Sequence, residues 1–205
     1  MISYYNKNVL EDIDISIKNS MFFDEWYDTV KSILLHDEFQ RRKLFLHHHN
    51  LSVWEHSILV SYKCFLASKY YGGDSRVCAI AGLLHDFYPQ AWIWNDKLAE
   101  LDNGKYLSEF HIKKPLFKMH GFVHGKEAAK NYVKYFPELE DKRITNAIER
   151  HMFPLTLKAP RYFEGYILTS IDKLNSVREL PNISFIASGF KNKAISILKK
   201  IFNKI

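Results

Sequence analysis

The sequence contains only two cysteines, Cys64 and Cys78, and neither belongs to a CxxC pair. Such a low content excludes a disulfide framework and a thiolate zinc site, so we expect both residues to be reduced and buried in helices. No apolar run approaches the roughly 20 residues that a transmembrane helix requires. The N-terminus lacks a basic start followed by an apolar stretch, so we expect no secretory signal and a cytoplasmic protein.

Glycine and proline are also sparse, with eight and six residues in a chain of 205, and they form no linker with serine. There is no internal repeat or low-complexity segment, and the 47 % apolar content excludes a disordered chain. Apolar residues recur at spacings of three and four, and only the first 20 residues contain a strand-like pattern. We therefore predict an all-α, single-domain helical bundle over residues 1–205, to which the first 20 residues attach loosely.

Capping and stop signals delimit the predicted helices. One helix is expected over residues 22–40, and the capping box SVWE at Ser52 predicts the start of the next, which Gly72-Gly73 ends. Asp74 or Ser75 is expected to cap a third helix, SRVCAIAGLLHDF, which Pro89 ends. The later helices are predicted in a short piece near 95–101, in GKEAAKNYVKYF, in ELEDKRITNAIERHM, in RYFEGYILTSIDKLNSVREL and in the basic segment 185–205.

The formal net charge of +6 predicts an anionic partner such as a phosphate or a nucleotide. Much of this charge lies in the tail GFKNKAISILKKIFNKI, which has five lysines and no acidic residue. We interpret the tail as a C-terminal helix with a solvated lysine face. The alternative is a patch that binds a membrane surface or a nucleic acid.

The tetrapeptide Leu-Leu-His-Asp occurs twice, at 34–37 and at 83–86. In the first copy, His36 and Asp37 lie off the apolar stripe of their helix, which favours a solvated surface. In the second copy, the preceding helix is apolar nearly all round and should be buried, so a charged Asp86 at its end is costly without a compensating partner. A bound cation would compensate the charge; the alternative is that Asp86 caps a neighbouring backbone.

Further histidines, among ten in the chain, extend this second pattern. His56 lies four residues after the predicted cap Ser52, His124 opens its predicted helix, His151 lies at the end of another, and Asp172 lies on a small and polar helix face. Each histidine alone is typical of a surface or a satisfied core residue. Together with His85-Asp86 they form an ordered set on successive helices, and mixed imidazole and carboxylate donors suit transition metals.

This ordered set resembles the HD superfamily of metal-dependent phosphohydrolases over residues 45–180. The segments EHSILVSYK, AGLLHDF and TSIDKL resemble the family's first-histidine, His-Asp and final-aspartate helices. HGFVHGKEAAK and AIERHMFPL resemble the two additional histidine segments of its two-metal branch. The resemblance, which extends to bacterial relatives of the symmetrical diadenosine-tetraphosphate hydrolases, implies a site in the middle of the bundle, with residues 22–40 and 185–205 as appendages.

The resemblance implies two divalent transition-metal ions, with Fe or Mn favoured and Co, Ni or Zn also suited. It places His56, His85, Asp86 and Asp172 on the first ion, and Asp86, His124 and His151 on the second. Asp86 is then the bridging catalytic residue. The implied reaction is hydrolysis of a phosphoester or phosphoanhydride in a small nucleotide or related phosphate, with a metal-bound hydroxide as nucleophile.

The sequence departs from the family where Phe87-Tyr88-Pro89 follows His-Asp, because many two-metal members have Ile-Gly-Lys there. This departure argues against a cyclic-dinucleotide phosphodiesterase and leaves the phosphate-binding groups to be found elsewhere. Lys126 is favoured because it is expected in the first turn of its helix, where main-chain N–H groups attract anions. The predicted substrate-binding set is Lys126, Arg161, His49 and His120, and the aromatic residues Tyr88, Trp92 and Trp94 either stack on a base or pack in the core.

We expect a small anionic phosphate or nucleotide as the partner rather than a nucleic acid. Two other function classes stay open on the sequence. A di-iron oxygenase of the HD type would use the same ligands to activate O₂. A nucleotide-binding sensor would bind its ligand without turnover.

Overall fold

The computed structural model describes residues 8–47, 51–91 and 119–179, with side chains through Ser176. These ranges form an all-α bundle, as predicted, and they contain no strand beyond an isolated bridge between Leu46 and Ser52. Within the same ranges, no helix combines the length and apolar character needed to cross a membrane. The predictions for His49, Trp92, Trp94, the piece near 95–101 and the helix at 185–205 lie outside the described residues.

Along the chain, the structure describes four α-helices, then a hairpin of two helices over residues 53–84, and then three further helices. Short 3₁₀ turns occur at Arg41–Leu44 and Pro137–Leu139. The α-helices are α1 (Val9–Asp12), α2 (Ile15–Lys18), α3 (Phe23–Leu34), α4 (Asp37–Gln40), α5 (Val53–Tyr71), α6 (Ser75–Leu84), α7 (His120–Tyr135), α8 (Lys142–Arg150) and α9 (Phe163–Glu179).

Helix α5 begins and ends as its sequence predicts. The Ser52 hydroxyl accepts a hydrogen bond from the Glu55 N–H at 3.2 Å, and the Glu55 carboxylate accepts one from the Ser52 N–H at 2.8 Å. This reciprocal pair satisfies two of the N–H groups that every helix start leaves free. At the other end Gly72 adopts φ +91°, a left-handed conformation that favours glycine. Asp74 then caps α6 by accepting from the Val77 N–H at 3.1 Å.

Helices α5 and α6 form an antiparallel pair that crosses at Ser61 and Gly82. A Cβ atom on Gly82 would lie 2.8 Å from Ser61 Cα, so only glycine allows this approach of the two backbones. The Ser61 hydroxyl donates to the Ala79 carbonyl at 2.7 Å and accepts from the Trp26 indole N–H at 3.0 Å. The pair is thereby joined to α3, and the start of α5 lies beside the end of α6.

Helices α6 and α8 begin side by side and end side by side. The Arg143 guanidinium lies 3.0 Å from the Asp74 carboxylate at the start of α6 and 3.8 Å from the Glu164 carboxylate at the start of α9. At the other ends of α6 and α8 the rings of His85 and His151 have centroids 5.1 Å apart. The two helices therefore run parallel, and their C-terminal ends point to the same place.

The prediction for the N-terminal segment was wrong. Residues 9–18 form the short helices α1 and α2 rather than strand-like structure. Val9, Ile13 and Ile17 are each at most 3 % exposed and belong to the main hydrophobic core, so this part of the chain is integrated into the bundle. The two helices have four residues each and are separated by the extended residue Ile13, so they are too short to show a helical period in the sequence.

Three predicted helix boundaries also need correction. The helix expected over 22–40 ends at Leu34, because the His36 ring accepts from the Glu38 N–H at 3.1 Å and starts α4. Helix α6 ends at Leu84, so His85 and Asp86 follow the helix instead of lying within it. Helix α7 begins at His120, so His124 lies one turn inside the helix and does not open it.

Replacing Gly82 by alanine should test the close approach of α5 and α6. The added methyl group meets the Ser61 backbone, and we expect a loss of about 1–3 kcal/mol in the free energy of unfolding. Gly121→Ala is the matched control, because its Cβ would meet only the Leu155 side chain at 3.4 Å. The control should be neutral or gain up to about 1 kcal/mol. Urea unfolding in the presence of a chelator measures both variants; equal stabilities would contradict the proposed packing.

Candidate metal centre

The site is built on two histidines that end helices. His85 follows α6 and His151 follows α8, each as the C-terminal cap residue. Each ring turns back on its own helix, and Nδ1 lies 2.8 Å from the main-chain carbonyl oxygen three residues earlier, at Gly82 and Ile148 respectively. Carbonyl groups in the last turn of a helix lack intrahelical partners, so this contact satisfies them.

These contacts determine which ring nitrogen carries the proton. A carbonyl oxygen can only accept, so Nδ1 of His85 and of His151 must donate. His124 is held in the same way, with Nδ1 at 2.9 Å from the His120 carbonyl oxygen. In the neutral form of all three rings, Nε2 is therefore an unprotonated acceptor. Outer-sphere hydrogen bonds of this kind orient histidines that ligate metals.

The Nε2 atoms converge on each other and on buried carboxylates. His124 Nε2 and His151 Nε2 are 2.9 Å apart, although both present lone pairs in the neutral rings. His85 Nε2 has no hydrogen-bond partner among the described residues and lies 3.5 Å from Asp86 and 3.4 Å from Asp172. Acceptors that face acceptors in a buried site repel each other unless a proton or a cation lies between them.

The donor atoms fall into three groups that could each hold a metal ion. Within each group the ligand atoms lie within 4.8 Å of one another, and all of the residues are buried. His56 joins the set from the first turns of α5, with Nε2 at 3.2 Å from Asp172 Oδ1 in the middle of α9. The groups are His56, His85 and Asp172; Asp86, His124 and His151; and His47, His56 and Asp86.

The field at the site favours cations. Helices α6 and α8 direct their partially negative C-terminal ends at it, whereas α5 and α7 begin there with partial positive charge, so the carboxylates determine the sign of the field. Burial favours the neutral forms of Asp86 and Asp172, yet the histidines around them hold both pKa values well below the ordinary carboxyl range. Two ionised carboxylates thus meet in a buried space, and mixed imidazole and carboxylate donors suit divalent transition metals.

Neighbouring groups raise the pKa of one histidine and lower the pKa values of two others. Burial opposes a charge on His85, but Asp86 and Asp172 outweigh it and raise the pKa to about 9. For His151, burial, together with repulsion from His124 and His85, lowers the pKa to about 3. Burial and His124 lower the pKa of His120 to about 3 as well. Without a metal, a protonated His85 therefore places a positive charge in the site at neutral pH.

Groups around the donors fix the loops that carry them. The Lys173 ammonium donates to the His151 carbonyl oxygen at 3.0 Å, and the Asn131 amide donates to the Phe87 carbonyl oxygen at 2.8 Å. Gly125 lets α7 meet the end of α8, because a Cβ there would lie 3.0 Å from the Glu149 carbonyl oxygen. The turns that follow α6 and α8 are thereby held against neighbouring helices.

The structure brings together all six predicted ligands, His56, His85, Asp86, His124, His151 and Asp172. The first copy of the tetrapeptide lies elsewhere: Asp37 is exposed, and the His36 ring packs against Phe136 with centroids 4.8 Å apart. His120 lies beside the donors, with its ring stacked on His124 at 4.5 Å. Tyr88 is buried and packs edge-on against His120, which agrees with core packing.

The reason given for Lys126 was wrong. Because α7 begins at His120, Lys126 lies in the second turn, and its side chain is exposed. The Arg161 side chain is also exposed, and its main-chain N–H donates to Asn146 at 2.8 Å. His47 was not among the predicted ligands: the run His47-His48-His49 before the His56 helix was interpreted as a polar loop or as lining the mouth of the site, and the structure buries His47 beside Asp86.

Comparison with protein-family models, with curated proteins and with solved structures finds no match for this chain.

The opposed histidine pKa values predict a stability maximum for the metal-free protein near the ordinary histidine pKa of 6.5. As pH rises from 6.5 through 9, folded His85 loses a proton that the unfolded chain has already lost, so its contribution disappears. As pH falls below 6.5, these histidines gain protons in the unfolded chain, whereas folded His120 and His151 stay neutral. The stability of the folded protein therefore falls again. Thermal melting of chelated protein between pH 5 and about 9.5 measures both slopes.

The alkaline slope has a specific control. His85→Asn removes the group that titrates and should flatten the decline above pH 6.5 in the chelated protein. Bound divalent metal should flatten it too, because the cation replaces the proton. A melting temperature in chelated wild-type protein that does not fall between pH 6.5 and 9 would contradict the assigned protonation.

Proposed function

We propose that this protein is a divalent-metal-dependent phosphohydrolase that acts on a small nucleotide or a related phosphate compound. One observation carries the proposal: the buried Nε2 atoms of His85, His124 and His151, whose rings are oriented by main-chain carbonyls through Nδ1, converge on the carboxylates of Asp86 and Asp172. The motif resemblance to the HD superfamily supports the reaction class.

The carboxylate of Asp86 is suited to join two ions. Its Oδ1 lies 3.4 Å from His124 Nε2 and 3.8 Å from His151 Nε2, whereas its Oδ2 lies 3.5 Å from His85 Nε2. The two oxygens thus face different histidines. Bound divalent ions would polarise a phosphoryl oxygen and lower the pKa of a coordinated water, so hydrolysis needs no separate general base.

The site leaves a neutral imidazole for substrate contacts. His120 is half-buried, and its lowered pKa keeps it uncharged at neutral pH. A neutral ring can donate one hydrogen bond to a phosphate oxygen without competing with metal ions for the carboxylates. Arg161 and Lys126 stay as predicted phosphate contacts. Both are exposed, so in this proposal they act at the outer edge of the substrate.

A substrate screen under controlled oxygen tests the proposal. Protein loaded with Mn²⁺, Co²⁺ or Fe²⁺ is incubated without oxygen with p-nitrophenyl phosphate, mononucleotides and dinucleoside polyphosphates, and phosphate or nucleotide products are measured. Metal-dependent product formation is the expected result. Oxygen consumption by the Fe²⁺ form without anaerobic hydrolysis would favour the oxygenase, and ligand-dependent thermal stabilisation without product under any metal would favour the sensor.

The two copies of Leu-Leu-His-Asp provide a matched pair of variants. Asp86→Ala should abolish metal binding and hydrolysis, because it removes a carboxylate that faces four histidines. Asp37→Ala should change neither property by more than a small factor, because Asp37 is exposed and belongs to none of the donor groups. Metal analysis and phosphate release measure both variants. Asp86→Asn keeps the size of the side chain and replaces Asp86→Ala if the alanine variant does not fold. Equal behaviour of the two alanine variants would contradict the assignment.

A further inference from the structure

His47 lies in the site although the motif resemblance gives it no role. Its side chain is buried, at 6 % exposure, and its Nε2 lies 3.4 Å from Asp86 Oδ2. Its ring is stacked on the His56 ring, with centroids 3.9 Å apart and planes at 20°. With His56 and Asp86 it forms one of the three groups whose ligand atoms lie within 4.8 Å of each other.

The backbone that carries His47 is fixed by pairing with the start of α5. The His47 N–H donates to the Leu51 carbonyl oxygen at 2.9 Å, and the Val53 N–H donates to the Phe45 carbonyl oxygen at 2.7 Å. These bonds lie on either side of the Leu46–Ser52 bridge. A residue nine positions before His56 is thereby placed directly beside it.

A buried arginine connects this segment to the turn that contains Asp86. The Arg42 guanidinium lies between two rings, 4.8 Å from the Phe45 centroid and 4.3 Å from the Phe87 centroid. Phe45 precedes His47 by two residues, and Phe87 follows Asp86 directly. A desolvated guanidinium is attracted to the faces of aromatic rings, so these two contacts hold both segments in place.

Asp86 and Asp172 show on which side of the site His47 lies. Asp86 Oδ2 faces His47 and His85, whereas Oδ1 faces His124 and His151. Asp172 Oδ1 lies 3.2 Å from His56 and 3.4 Å from His85. His47 therefore lies on the Oδ2 side of Asp86, together with His56.

We propose that His47 is an additional metal ligand, on an ion that His56 and the Oδ2 atom of Asp86 also bind. This inference rests on the proposed metal centre and is independent of the reaction it catalyses. The alternative role is a hydrogen-bond donor to Asp86, whose Oδ2 atom lies 3.4 Å from His47 Nε2.

Two substitutions separate a ligand from a hydrogen-bond donor. His47→Ala removes both functions, whereas His47→Gln keeps an N–H donor and replaces imidazole by an amide that binds Co²⁺ weakly. His36→Gln is the control, because it changes a half-buried histidine outside the donor groups. Far-UV circular dichroism and thermal melting of the chelated proteins establish that each variant is folded.

The probe is Co²⁺ alone, and its binding is measured by calorimetric titration and by proton NMR. In Co²⁺-loaded wild type we expect a paramagnetically shifted, exchangeable ring N–H signal from each of five histidines, at 47, 56, 85, 124 and 151. Both His47 variants should lose one signal and bind one Co²⁺ at least about 10-fold more weakly, given that even loss of an outer partner costs about 10–100-fold. His36→Gln should match wild type.

Wild-type affinity and signal number in His47→Ala would overturn the proposal. A His47→Gln variant that binds Co²⁺ as wild type does, beside a weakened His47→Ala, would overturn it in favour of the hydrogen bond. Neither readout uses turnover. A wild-type protein that hydrolyses no phosphate compound would therefore refute the proposed function while the ligand assignment of His47 stands or falls separately.

Discussion

The site depends on one repeated interaction, the hydrogen bond from a histidine Nδ1–H to a carbonyl oxygen of its own helix. It occurs at His85, His124 and His151. Each bond orients a ring, assigns its proton to Nδ1 and leaves Nε2 as an acceptor directed at buried carboxylates. Such an arrangement is unfavourable by itself, because acceptors face acceptors away from water. It becomes favourable when a cation or a proton occupies the space, and the fold therefore couples its own stability to what the site binds.

The helices are arranged so that these interactions meet at one point. The Arg143 contacts align the starts of α6 and α8, and the parallel course of the two helices brings both C-terminal histidines together. Gly82 and Gly125 permit the close approaches that bring His56 and His124 to the same place. The small residues in this part of the core therefore contribute to the geometry of the site as well as to packing.

Local signals in the sequence predicted the helices with self-contained starts and stops. The capping box at Ser52, the glycines after Tyr71 and the cap at Asp74 act within a few residues, and all are found in the structure.

Features that depend on tertiary contacts were not predictable from such local signals. The end of α6 follows from the His85 ring satisfying its helix, the start of α7 lies one turn before the predicted one, and His47 reaches the site through backbone pairing across the loop before α5. The difference between the two copies of Leu-Leu-His-Asp was predictable, because the second copy follows an apolar run, which the structure buries from Val77 to Leu84.

The central claim is that the Asp86 carboxylate lies between two metal ions. Crystals grown with Mn²⁺ and measured at the manganese absorption edge test it most directly, because anomalous difference maps locate each ion without assumptions about ligands. The account predicts two peaks, one on either side of Asp86, the first within ligand distance of His56, His85 and Asp172 and the second within ligand distance of His124 and His151. A single peak, or peaks only outside these donor groups, would contradict it.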